Sequence, residues 1–439
     1  MVVEKRIKES IFRRGDIRGR YPGELDRDIA YRIGRTIASM MKSKKFVMGI
    51  DKRESSKPLQ KAVSNGLRDN GAEVIYLGEI DTPGVYFAAN RFKCPGIMIT
   101  ASHNPMNENG IKIVDKNGFS IGEKYLAKIK KSVLNAGFGV RKNVGKEIEK
   151  NIFEIYKKHL IKFVDARELK KMNVVVNIEN GVSEKFLSYL FRDLEGKINL
   201  IMVRGEKELS KEILRKKADF GVNFDTDGDR IICFDEKGEK IDNSLIGAML
   251  IRNLKIKHGW IVYIVPCSRL VPDSVKISGL RTYRTKVGRT AVMQAMRKKK
   301  AVMGVELSGH YYFKDNFYSD SGYISLLKIC EAYSIYGGRK ISAITKEFDE
   351  YFRSGEISLR CANGDTIMKS IEKYFRGKDS AKIDHLDGLT VSMRTWWFNL
   401  RKSGTESLIR LNVEADDGEE LDEKVREILK LLWKNGCRV

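Results

Sequence analysis

Residues 96–105 have the sequence GIMITASHNP, in which a short apolar run leads directly into a polar loop. The run predicts a buried β-strand at Gly96–Ile99. Similar strands are predicted at Phe46–Ile50 and Glu73–Leu77, with a helix over Leu59–Leu67 between them. This alternation predicts a parallel sheet with crossover helices. Because ligand sites in such sheets collect at the carboxyl ends of the strands, the loop after Ile99 is a candidate site.

The same alternation recurs along the rest of the chain. A helix that leaves the first domain near residue 150 is predicted from the helical spacing of Ile148, Ile152, Ile155, Tyr156 and Leu160. Further strands are predicted at Val174–Ile178, Leu200–Val203, Phe220–Phe224, Ile231–Phe234 and Ile261–Val265. We therefore expect an α/β fold of four packed domains, at residues 1–150, 151–250, 251–360 and 361–439.

Two further patterns complete the third and fourth domains. A helix that closes the third domain is predicted from Ile344, Phe348, Tyr351 and Phe352 on one face. The last domain is expected to be a smaller α+β unit. Its strand has Ile409, Leu411 and Val413 on one face, and its final helix has Leu421, Val425, Ile428, Leu429 and Leu432 on one stripe.

The composition excludes several classes of protein. Hydrophobic residues make up 42% of the 439 residues, which excludes wholesale disorder. No apolar run approaches the ~18–20 residues of a membrane span. The N-terminal sequence MVVEKRIKES lacks the apolar segment of a signal peptide. A cytoplasmic protein with no membrane partner is therefore expected.

The six cysteines are expected to be buried, reduced thiols. They are Cys94, Cys233, Cys267, Cys330, Cys361 and Cys437. No two of them are close enough in sequence to form a CxxC pair, which disfavours zinc ribbons and thioredoxin-type redox chemistry.

The net charge is strongly positive. The chain has 82 Lys and Arg against 58 Asp and Glu, a formal charge of +24. On charge alone, three interpretations are open: a solvated basic surface, an anionic small substrate, or nucleic acid. The basic residues are spread along the whole chain, and the densest run is Arg297–Lys300. This spread favours the solvated surface as the default.

Four polar loops carry hydroxyl, imidazole, carboxylate and basic side chains, which are the residue types that catalysis and ligand binding require. In the first, the hydroxyl of Ser102 stands beside the imidazole of His103, a pattern typical of a nucleophile with a proton-transfer partner. Lys112 follows ten residues after Ser102. Taken alone, this loop is better interpreted as an ordinary turn with a capping serine.

The second loop has the sequence DTDGDR at residues 225–230. Along an extended strand its carboxylates, Asp225, Asp227 and Asp229, would lie ~6–7 Å apart per step. One cation holds its oxygen ligands at ~2.0–2.6 Å, so the segment must curl to bind one. Gly228 permits that curl. Three oxygen ligands favour Mg²⁺ or Ca²⁺ over zinc, and a polar hairpin turn is the alternative interpretation.

The third and fourth loops suit sugar and phosphate ligands. A carboxylate and a hydroxyl, from Glu306 and Ser308, would project from one side of an extended loop and could bond adjacent sugar hydroxyls. The sequence RKSGTES at 401–407, followed by Arg410, supplies arginines, hydroxyls and a glycine that exposes backbone N–H groups. These groups suit a phosphate. Taken alone, the third loop is better interpreted as a solvated loop, whereas for the fourth the functional and nonfunctional interpretations are equal.

In this order and spacing, the four loops resemble those of the α-D-phosphohexomutase family, which interconverts hexose 1-phosphates and 6-phosphates. The segment FRRGDIRG at residues 12–19 also resembles the opening segment of that family. The resemblance covers nearly the whole chain. It implies four domains around a deep cleft, a phosphoserine enzyme that requires Mg²⁺, and hexose 1,6-bisphosphate as intermediate and activator.

The resemblance also implies a role for each matching position. Ser102 is implied to be the phosphorylated serine and, through its phosphate, a metal ligand together with Asp225, Asp227 and Asp229. The basic residues implied near the reacting phosphoryl group are Lys112, Arg230 and Arg18. Because the site is strongly anionic, His103 is a further candidate cation, and Lys112 or His103 is the candidate for transferring the sugar proton. Implied to bind substrate are Arg18, Lys286, Gly288, Arg289, Glu306, Ser308, Arg401, Ser403, Gly404, Thr405 and Arg410.

Several positions depart from the family pattern. Lys402 and Ser407 replace two prolines of the last loop, Gly15 stands where many bacterial members have tyrosine, and Arg289 stands where some members have histidine. Leu307 stands where the glucosamine enzymes usually have glutamine. These changes bear on the preferred sugar and leave the predicted reaction class intact.

The sequence thus predicts a magnesium-dependent mutase for mannose and glucose phosphates. Phosphoglucosamine mutase is the second interpretation. A metal-dependent sugar phosphatase, which would release phosphate without a stable phosphoserine, is the third. A nucleic-acid binder would need none of the four loops, so a phosphosugar is the expected partner and nucleic acid is not. Both a monomer and a homodimer are compatible with the sequence.

Overall fold

The computed structural model describes residues 7–13, 15–135, 144–178, 183–361, 363–403 and 408–438. The chain divides into two compact units. The first comprises Met1–Ile241 and Ser308–Ile344, and the second comprises Asp242–Leu307 and Thr345–Val439. Within the described ranges, no helix has both the length and the apolar character needed to cross a membrane.

The first sheet has six strands. Its elements are β1 (Ile17–Arg20), α1 (Arg27–Met41), β2 (Lys45–Ile50), α2 (Ser56–Arg68), β3 (Glu73–Glu79), α3 (Thr82–Phe92), β4 (Gly96–Ile99), β5 (Glu108–Val114), α4 (Glu123–Asn135) and β6 (Glu147–Glu149). The strand order is β1-β5-β4-β2-β3-β6. Strands β4, β2, β3 and β6 are parallel, whereas β5 is antiparallel to β4 and β1. The prediction of a parallel sheet is wrong at this edge, because the short loop between Ile99 and Glu108 cannot hold a crossover helix.

The second sheet follows the same plan. Its elements are α5 (Phe153–Leu160), β7 (Met172–Asn177), α6 (Ser183–Phe191), β8 (Ile198–Val203), α7 (Glu206–Lys216), β9 (Phe220–Phe224) and β10 (Ile231–Phe234). The strand order is β10-β9-β7-β8. Strands β9, β7 and β8 are parallel, and β10 is antiparallel to β9. The loop 225–230 therefore reverses the chain at the carboxyl end of a buried strand, as the loop after β4 does.

The third segment of the chain contributes to both units. Its elements are α8 (Asn243–Arg252), β11 (Trp260–Ile264), α9 (Leu270–Ile277), β12 (Arg281–Thr285), α10 (Arg289–Lys299), β13 (Met303–Val305), β14 (Tyr311–Phe313), β15 (Ser319–Asp320), α11 (Gly322–Ile335) and α12 (Ile341–Lys346). In the second unit, β12, β11 and β13 are parallel. In the first unit, β14 and β15 form an antiparallel pair.

The last sheet is antiparallel. Its elements are β16 (Phe352–Arg353), β17 (Ile357–Arg360), α13 (Gly364–Arg376), β18 (Lys382–Asp384), β19 (Leu389–Ser392), β20 (Trp396–Lys402), β21 (Leu408–Ala415) and α14 (Gly418–Lys434). Strands β18 to β21 pair in sequence, and both β16 and β17 pair with β21. Two of its strands thus precede residue 361. The four domain boundaries drawn from the sequence stay predictions.

The predicted final helix agrees with α14, in which Leu421, Ile428 and Leu432 are buried in the core of this sheet. Two other helix predictions need correction. Ile148 lies in β6, and α5 begins at Phe153, because the intervening residues 150–152 are in neither a strand nor a helix. The helix predicted through Phe352 ends at Lys346, and Phe352 is half-exposed in β16. Both false patterns arose where apolar residues of a helix and a neighbouring strand happened to share helical spacing.

Two cysteines contradict the expectation of reduced thiols. Cys361 and Cys437 form a disulfide although they are 76 residues apart, whereas Cys94, Cys233, Cys267 and Cys330 are free and buried as expected. Reciprocal backbone hydrogen bonds between Arg360 and Arg438, of 2.7 and 3.0 Å, bring the two cysteines together. Cysteine spacing in the sequence did not predict this disulfide, because its two cysteines are distant in the chain.

Candidate active site

Eight predicted site residues converge in the first unit. The loop after β4 carries Ser102 and His103, and the loop after β9 carries the three aspartates and Arg230. Lys112 lies on β5 and Arg18 on β1, adjacent strands of the same sheet. Because both chain reversals occur at the carboxyl ends of parallel strands, the two loops meet there.

Ser102 occupies a constrained position in its loop. Its φ of +53° lies in the left-handed region, which a residue other than glycine rarely adopts. Its backbone N–H donates to Thr100 Oγ1 at 2.9 Å, and its hydroxyl donates to Asp225 Oδ2 at 3.0 Å. Its Oγ is 3.4 Å from His103 Nδ1. The hydroxyl is thereby aimed at the carboxylate cluster.

A buried arginine that the sequence reasoning missed supports this loop. All five N–H groups of the Arg53 guanidinium are donated: one to Asp51, and four to the carbonyl oxygens of Ser102, Asn104, Pro105 and Glu108 at 2.6–3.0 Å. In the sequence, Asp51 and Arg53 merely follow the strand β2. No local signal links them to residues some fifty positions later.

We expect Arg53→Lys to lower the free energy of unfolding by about 3 kcal/mol, because lysine offers three donors and leaves buried carbonyl oxygens without partners. Chemical denaturation of the purified protein measures this loss. The matched control is Arg32→Lys, since an exposed ion pair with Asp28 is the one polar contact of the Arg32 side chain among the described residues, and we expect it to change stability by less than ~0.5 kcal/mol. Equal stability of the Arg53→Lys variant and the wild type would contradict the supporting role.

Arg18 contacts the same loop from the other side. Its guanidinium donates to Ala101 O at 2.8 Å and Asn104 Oδ1 at 2.7 Å, and it pairs with Asp16 at 2.8 Å. Burial opposes its charge, but Asp16 and the more distant aspartates of the 225–230 loop raise its pKa. Arg18 therefore brings a fixed positive charge to the edge of the site.

The three aspartates lie close together. Asp225, Asp227 and Asp229 each offer a carboxylate oxygen, and these oxygens lie within 4.8 Å of one another. The loop curls because Gly228 adopts a φ of +72° and its N–H donates to Asp225 O at 3.1 Å. The curl that a shared cation requires is therefore present.

Lys112 bridges two of these carboxylates. Its ammonium lies 2.6 Å from Asp227 Oδ2 and 2.9 Å from Asp229 Oδ2. Burial disfavours the charged lysine, but the two carboxylates outweigh burial and raise its pKa well above the ordinary value. In turn, Lys112 overcomes the effect of burial on Asp227 and Asp229 and lowers the pKa of both.

Asp225 has a different environment. Burial and then the nearby Asp229 raise its pKa to about 7, against the opposing charge of Arg230. Arg230 contacts Asp225 Oδ2 through Nε at 3.1 Å and through Nη2 at 3.0 Å. The same Nη2 is 2.6 Å from His103 Nδ1. Burial, Arg230 and Arg18 lower the pKa of His103 to about 4, so its imidazole is neutral near pH 7.

Three more residues that the sequence reasoning missed complete the cluster. Thr82, at the start of α3, donates its backbone N–H to Asp227 O at 2.9 Å and its hydroxyl to Asp227 Oδ2. His310 Nδ1 lies 2.9 Å from Asp320 Oδ2, and both residues cluster with Asp229. Only His310 had a signal in the sequence, since it ends the loop that contains Glu306 and Ser308.

The residues present fit a divalent cation such as Mg²⁺. Oδ1 of Asp227 and Oδ1 of Asp229 are buried, and neither accepts a hydrogen bond from any residue that the structure describes. Buried carboxylate oxygens without partners are costly unless a cation or water satisfies them. An all-oxygen set of this kind suits Mg²⁺.

The remaining predicted residues lie elsewhere in the chain. In the second unit, Lys286 and Gly288 precede α10, and Arg289 begins that helix. Glu306, which is buried, follows β13 in the second unit, and the exposed Ser308 begins the return of the chain to the first unit. Gly404 and Thr405 lie outside the described residues.

Arg401 and Arg410 form an arginine pair in the last sheet. They are directly opposite each other on β20 and β21. Ser403 follows β20, and its N–H donates to Leu408 O at 2.8 Å. Glu356, which the sequence reasoning did not single out, contacts both arginines at 2.9 Å. The two cations are thus presented side by side.

Three family models match most of the chain. Their descriptions are phosphoglucomutase/phosphomannomutase alpha/beta/alpha domain I, alpha/beta/alpha domain III and C-terminal domain. They match residues 9–140, 242–351 and 356–431, respectively. A phosphomannomutase of Methanocaldococcus jannaschii is 33% identical over 446 aligned residues, which cover 97% of this chain and 98% of that protein.

Solved structures share the fold. A phosphoglucomutase/phosphomannomutase family protein from Burkholderia thailandensis has a TM-score of 0.87 at 24% identity, over 98% of this chain and 99% of that one. An Aspergillus fumigatus N-acetylphosphoglucosamine mutase, solved with GlcNAc-6P and magnesium, has a TM-score of 0.62 at 13% identity, over 96% and 95% of the two chains. These likenesses confirm the predicted four-domain α/β fold. With one-third identity to a phosphomannomutase over nearly its whole length, the chain belongs to the phosphoglucomutase/phosphomannomutase family, the α-D-phosphohexomutases, and is an isomerase.

Proposed function

We propose that this phosphohexomutase interconverts the 1-phosphates and 6-phosphates of mannose and glucose through a phosphorylated Ser102 and a hexose 1,6-bisphosphate. The observation that carries the proposal is the Ser102 hydroxyl, 3.0 Å from Asp225 within the cluster of carboxylates and cations. Phosphoryl transfer needs positioning and charge neutralisation more than covalent help, and this cluster supplies both. The M. jannaschii relative, named a phosphomannomutase, and Leu307 favour mannose and glucose over glucosamine.

Asp225, Asp227 and Asp229 are the residues we propose to hold Mg²⁺, with an oxygen of the Ser102 phosphate as a further ligand. The buried Oδ1 atoms of Asp227 and Asp229, which accept no hydrogen bond from a described residue, support this assignment, as does the magnesium in the A. fumigatus complex. The ion would neutralise charge on the transferring phosphoryl group.

The remaining steps, proton transfer and charge neutralisation, are assigned to side chains of this protein. In the first transfer, the bond between phosphorus and Ser102 Oγ breaks as the free sugar hydroxyl forms its own bond to phosphorus. The hydroxyl proton needs an acceptor, and we propose the neutral imidazole of His103, whose Nδ1 would take the proton in place of its contact with Arg230 Nη2. Lys112 is held charged by two carboxylates, so it neutralises charge rather than accepting the proton. Arg18 and Arg230 bind phosphoryl oxygens.

The bisphosphate then turns around and returns its other phosphate to Ser102, which completes the isomerisation. Both ends of the sugar must therefore be recognised. We propose that Glu306 and Ser308 bond the sugar hydroxyls, with Lys286, Gly288 and Arg289 nearby in the sequence contributing to substrate binding. The nonreacting phosphate is assigned to Arg401, Ser403, Gly404, Thr405 and Arg410, whose arginine pair supports that role.

A coupled assay tests the proposal. The purified protein receives mannose 1-phosphate, glucose 1-phosphate or glucosamine 1-phosphate with Mg²⁺ and a trace of hexose 1,6-bisphosphate. We expect the 6-phosphates of mannose and glucose to form fastest, and intact mass to show one phosphate on a Ser102 peptide. If glucosamine 1-phosphate reacts fastest, the preferred substrate is glucosamine phosphate and the proposed substrates are wrong. Free phosphate without isomerisation would indicate a phosphatase.

We expect Asp227→Asn to abolish the stabilisation of the protein by Mg²⁺. A ligand present at about 100 times its Kd stabilises the folded state by about 2.7 kcal/mol, so wild-type thermal unfolding should shift upward with Mg²⁺ and shift back with chelator. The variant loses one charged ligand and should show no such shift. This readout is independent of turnover.

The matched control is Asp193→Asn, because Asp193 is exposed and pairs only with Lys157 among the contacts that the structure describes. We expect that variant to keep the full Mg²⁺ response. A normal response of Asp227→Asn to Mg²⁺ would exclude Asp227 as a metal ligand.

A further inference from the structure

Glu356 joins the two arginines of the last sheet. It immediately precedes β17, which pairs with β21, and β21 in turn pairs with β20. Arg401 Nη2 donates to Glu356 Oε2 at 2.9 Å, and Arg410 Nη1 donates to Glu356 Oε1 at 2.9 Å. Each carboxylate oxygen thus takes one guanidinium, so the carboxylate spans the pair.

A phosphate would use these arginines in the same way. Guanidinium groups recognise phosphate and carboxylate with the same geometry, two oxygens facing N–H donors. The bridging carboxylate of Glu356 therefore occupies the donors that a phosphate needs. Arg401 Nε is also buried without a hydrogen-bond partner among the described residues, which leaves a donor that Glu356 does not satisfy.

The charges show that Glu356 and a phosphate compete. Two arginines with Glu356 carry a net charge of +1, and a phosphate dianion changes this to −1. Without the carboxylate, the arginines and the phosphate balance to zero. Because like charges repel strongly at ~4 Å in a protein environment, both anions do not fit the same pair of cations favourably.

Glu356 is also able to leave. Its side chain is 29% exposed, so part of the carboxylate already faces solvent. The preceding Gly355 has a φ of +67°, and no atom lies within 4 Å of where its Cβ would be. By contrast, Arg401 is only 11% exposed and is paired with Arg410 between β20 and β21, so its position is set by the strand ladder.

We infer that Glu356 is an internal counter-anion that occupies the phosphate-binding arginines of the free enzyme and is displaced by the nonreacting phosphate of the substrate. This inference rests on the proposed function of Arg401 and Arg410. In the free enzyme, Glu356 keeps two adjacent cations ordered. It also weakens the binding of any anion, which excludes weak competitors such as inorganic phosphate and speeds product release.

The test is Glu356→Gln, which keeps the shape of the side chain and removes its charge. Calorimetric titration with inorganic phosphate at constant ionic strength should show a Kd roughly five- to tenfold lower than in the wild type. The KM for hexose 1-phosphate should fall by a similar factor. Glu356→Asp, which keeps the charge, should restore an affinity close to that of the wild type.

Glu419→Gln is the matched control. Glu419 is exposed at the start of α14 in the same unit, and its loss removes the same charge at a distance from the arginine pair in the sequence. We expect its phosphate affinity to equal that of the wild type. If this control tightened phosphate binding as much as Glu356→Gln, the effect would be one of net charge and the inference would be wrong.

Unchanged or weaker phosphate binding by folded Glu356→Gln would overturn the inference, as would the absence of phosphate binding by both proteins. Either result alongside normal mutase activity leaves the proposed function standing. Conversely, tighter phosphate binding by Glu356→Gln without any interconversion of hexose phosphates supports the counter-anion and contradicts the proposed function. The binding assay therefore tests the role of Glu356, and the turnover assay separately tests the proposed function.

Discussion

Replacing Ser102 with alanine is expected to lower the rate of hexose phosphate interconversion by about 10⁴-fold or more. Alanine has no atom to carry the phosphoryl group, so both transfers lose their donor and acceptor. The substitution removes a single oxygen from a residue whose carbonyl accepts from Arg53 and whose preceding residue, Ala101, accepts from Arg18, so the fold is expected to persist. The coupled assay measures the rate, and intact mass should show that the phosphate is absent.

Ser188→Ala is the matched control, since Ser188 is an exposed residue of α6 whose hydroxyl bonds only Glu184 O among the described contacts. We expect it to retain full activity and one phosphate per chain. Wild-type turnover by the Ser102→Ala variant would refute the phosphoserine mechanism, and a phosphate retained on that variant would place the modification at another residue.

Breaking the Cys361–Cys437 disulfide is expected to cost about 4 kcal/mol of the free energy of unfolding of the last sheet, because the bond closes a loop of 76 residues in the unfolded chain. Three of the four tryptophans, Trp396, Trp397 and Trp433, lie in this part of the chain. Denaturant titration followed by tryptophan fluorescence therefore reports the relevant transition.

The double variant Cys361→Ser, Cys437→Ser should unfold at lower denaturant concentration than the oxidised wild type. Adding a reductant should move the wild type to the midpoint of the variant and leave the variant unchanged. If the wild-type midpoint equals that of the variant and does not change with reductant, the disulfide adds no stability. The four buried thiols serve as an internal control, since both proteins contain them.

Many elements of the fold were predictable because their signals are local. The strands at Gly96–Ile99 and Phe220–Phe224 have the predicted bounds, and the final helix packs the predicted stripe against the core, with Leu421, Ile428 and Leu432 buried. Prediction failed where neighbouring elements shared an accidental period, as at Ile148 and Phe352. It also failed for strand direction at the edge of the first sheet, because direction depends on the length of the connection.

The candidate site divides in the same way. Ser102, Lys112 and the three aspartates were found from residue types next to predicted strands. Arg53, Thr82 and Glu356 were not found, because each acts through a contact with residues distant in sequence. Arg53, for example, donates to carbonyl oxygens, which every residue possesses and no sequence pattern marks.

By itself, the sequence determined the α/β fold class and the four polar loops, since each depends on residue types at short spacing, and it indicated the reaction class through the resemblance of those loops to a known family. The tertiary structure alone decided which loops meet, how Lys112 and Arg230 set the charge of each aspartate, and which cysteines bond. These properties depend on distances of a few ångströms between residues far apart in the chain. Electrostatic and hydrogen-bonding energies change steeply over such distances, and only the folded chain sets them.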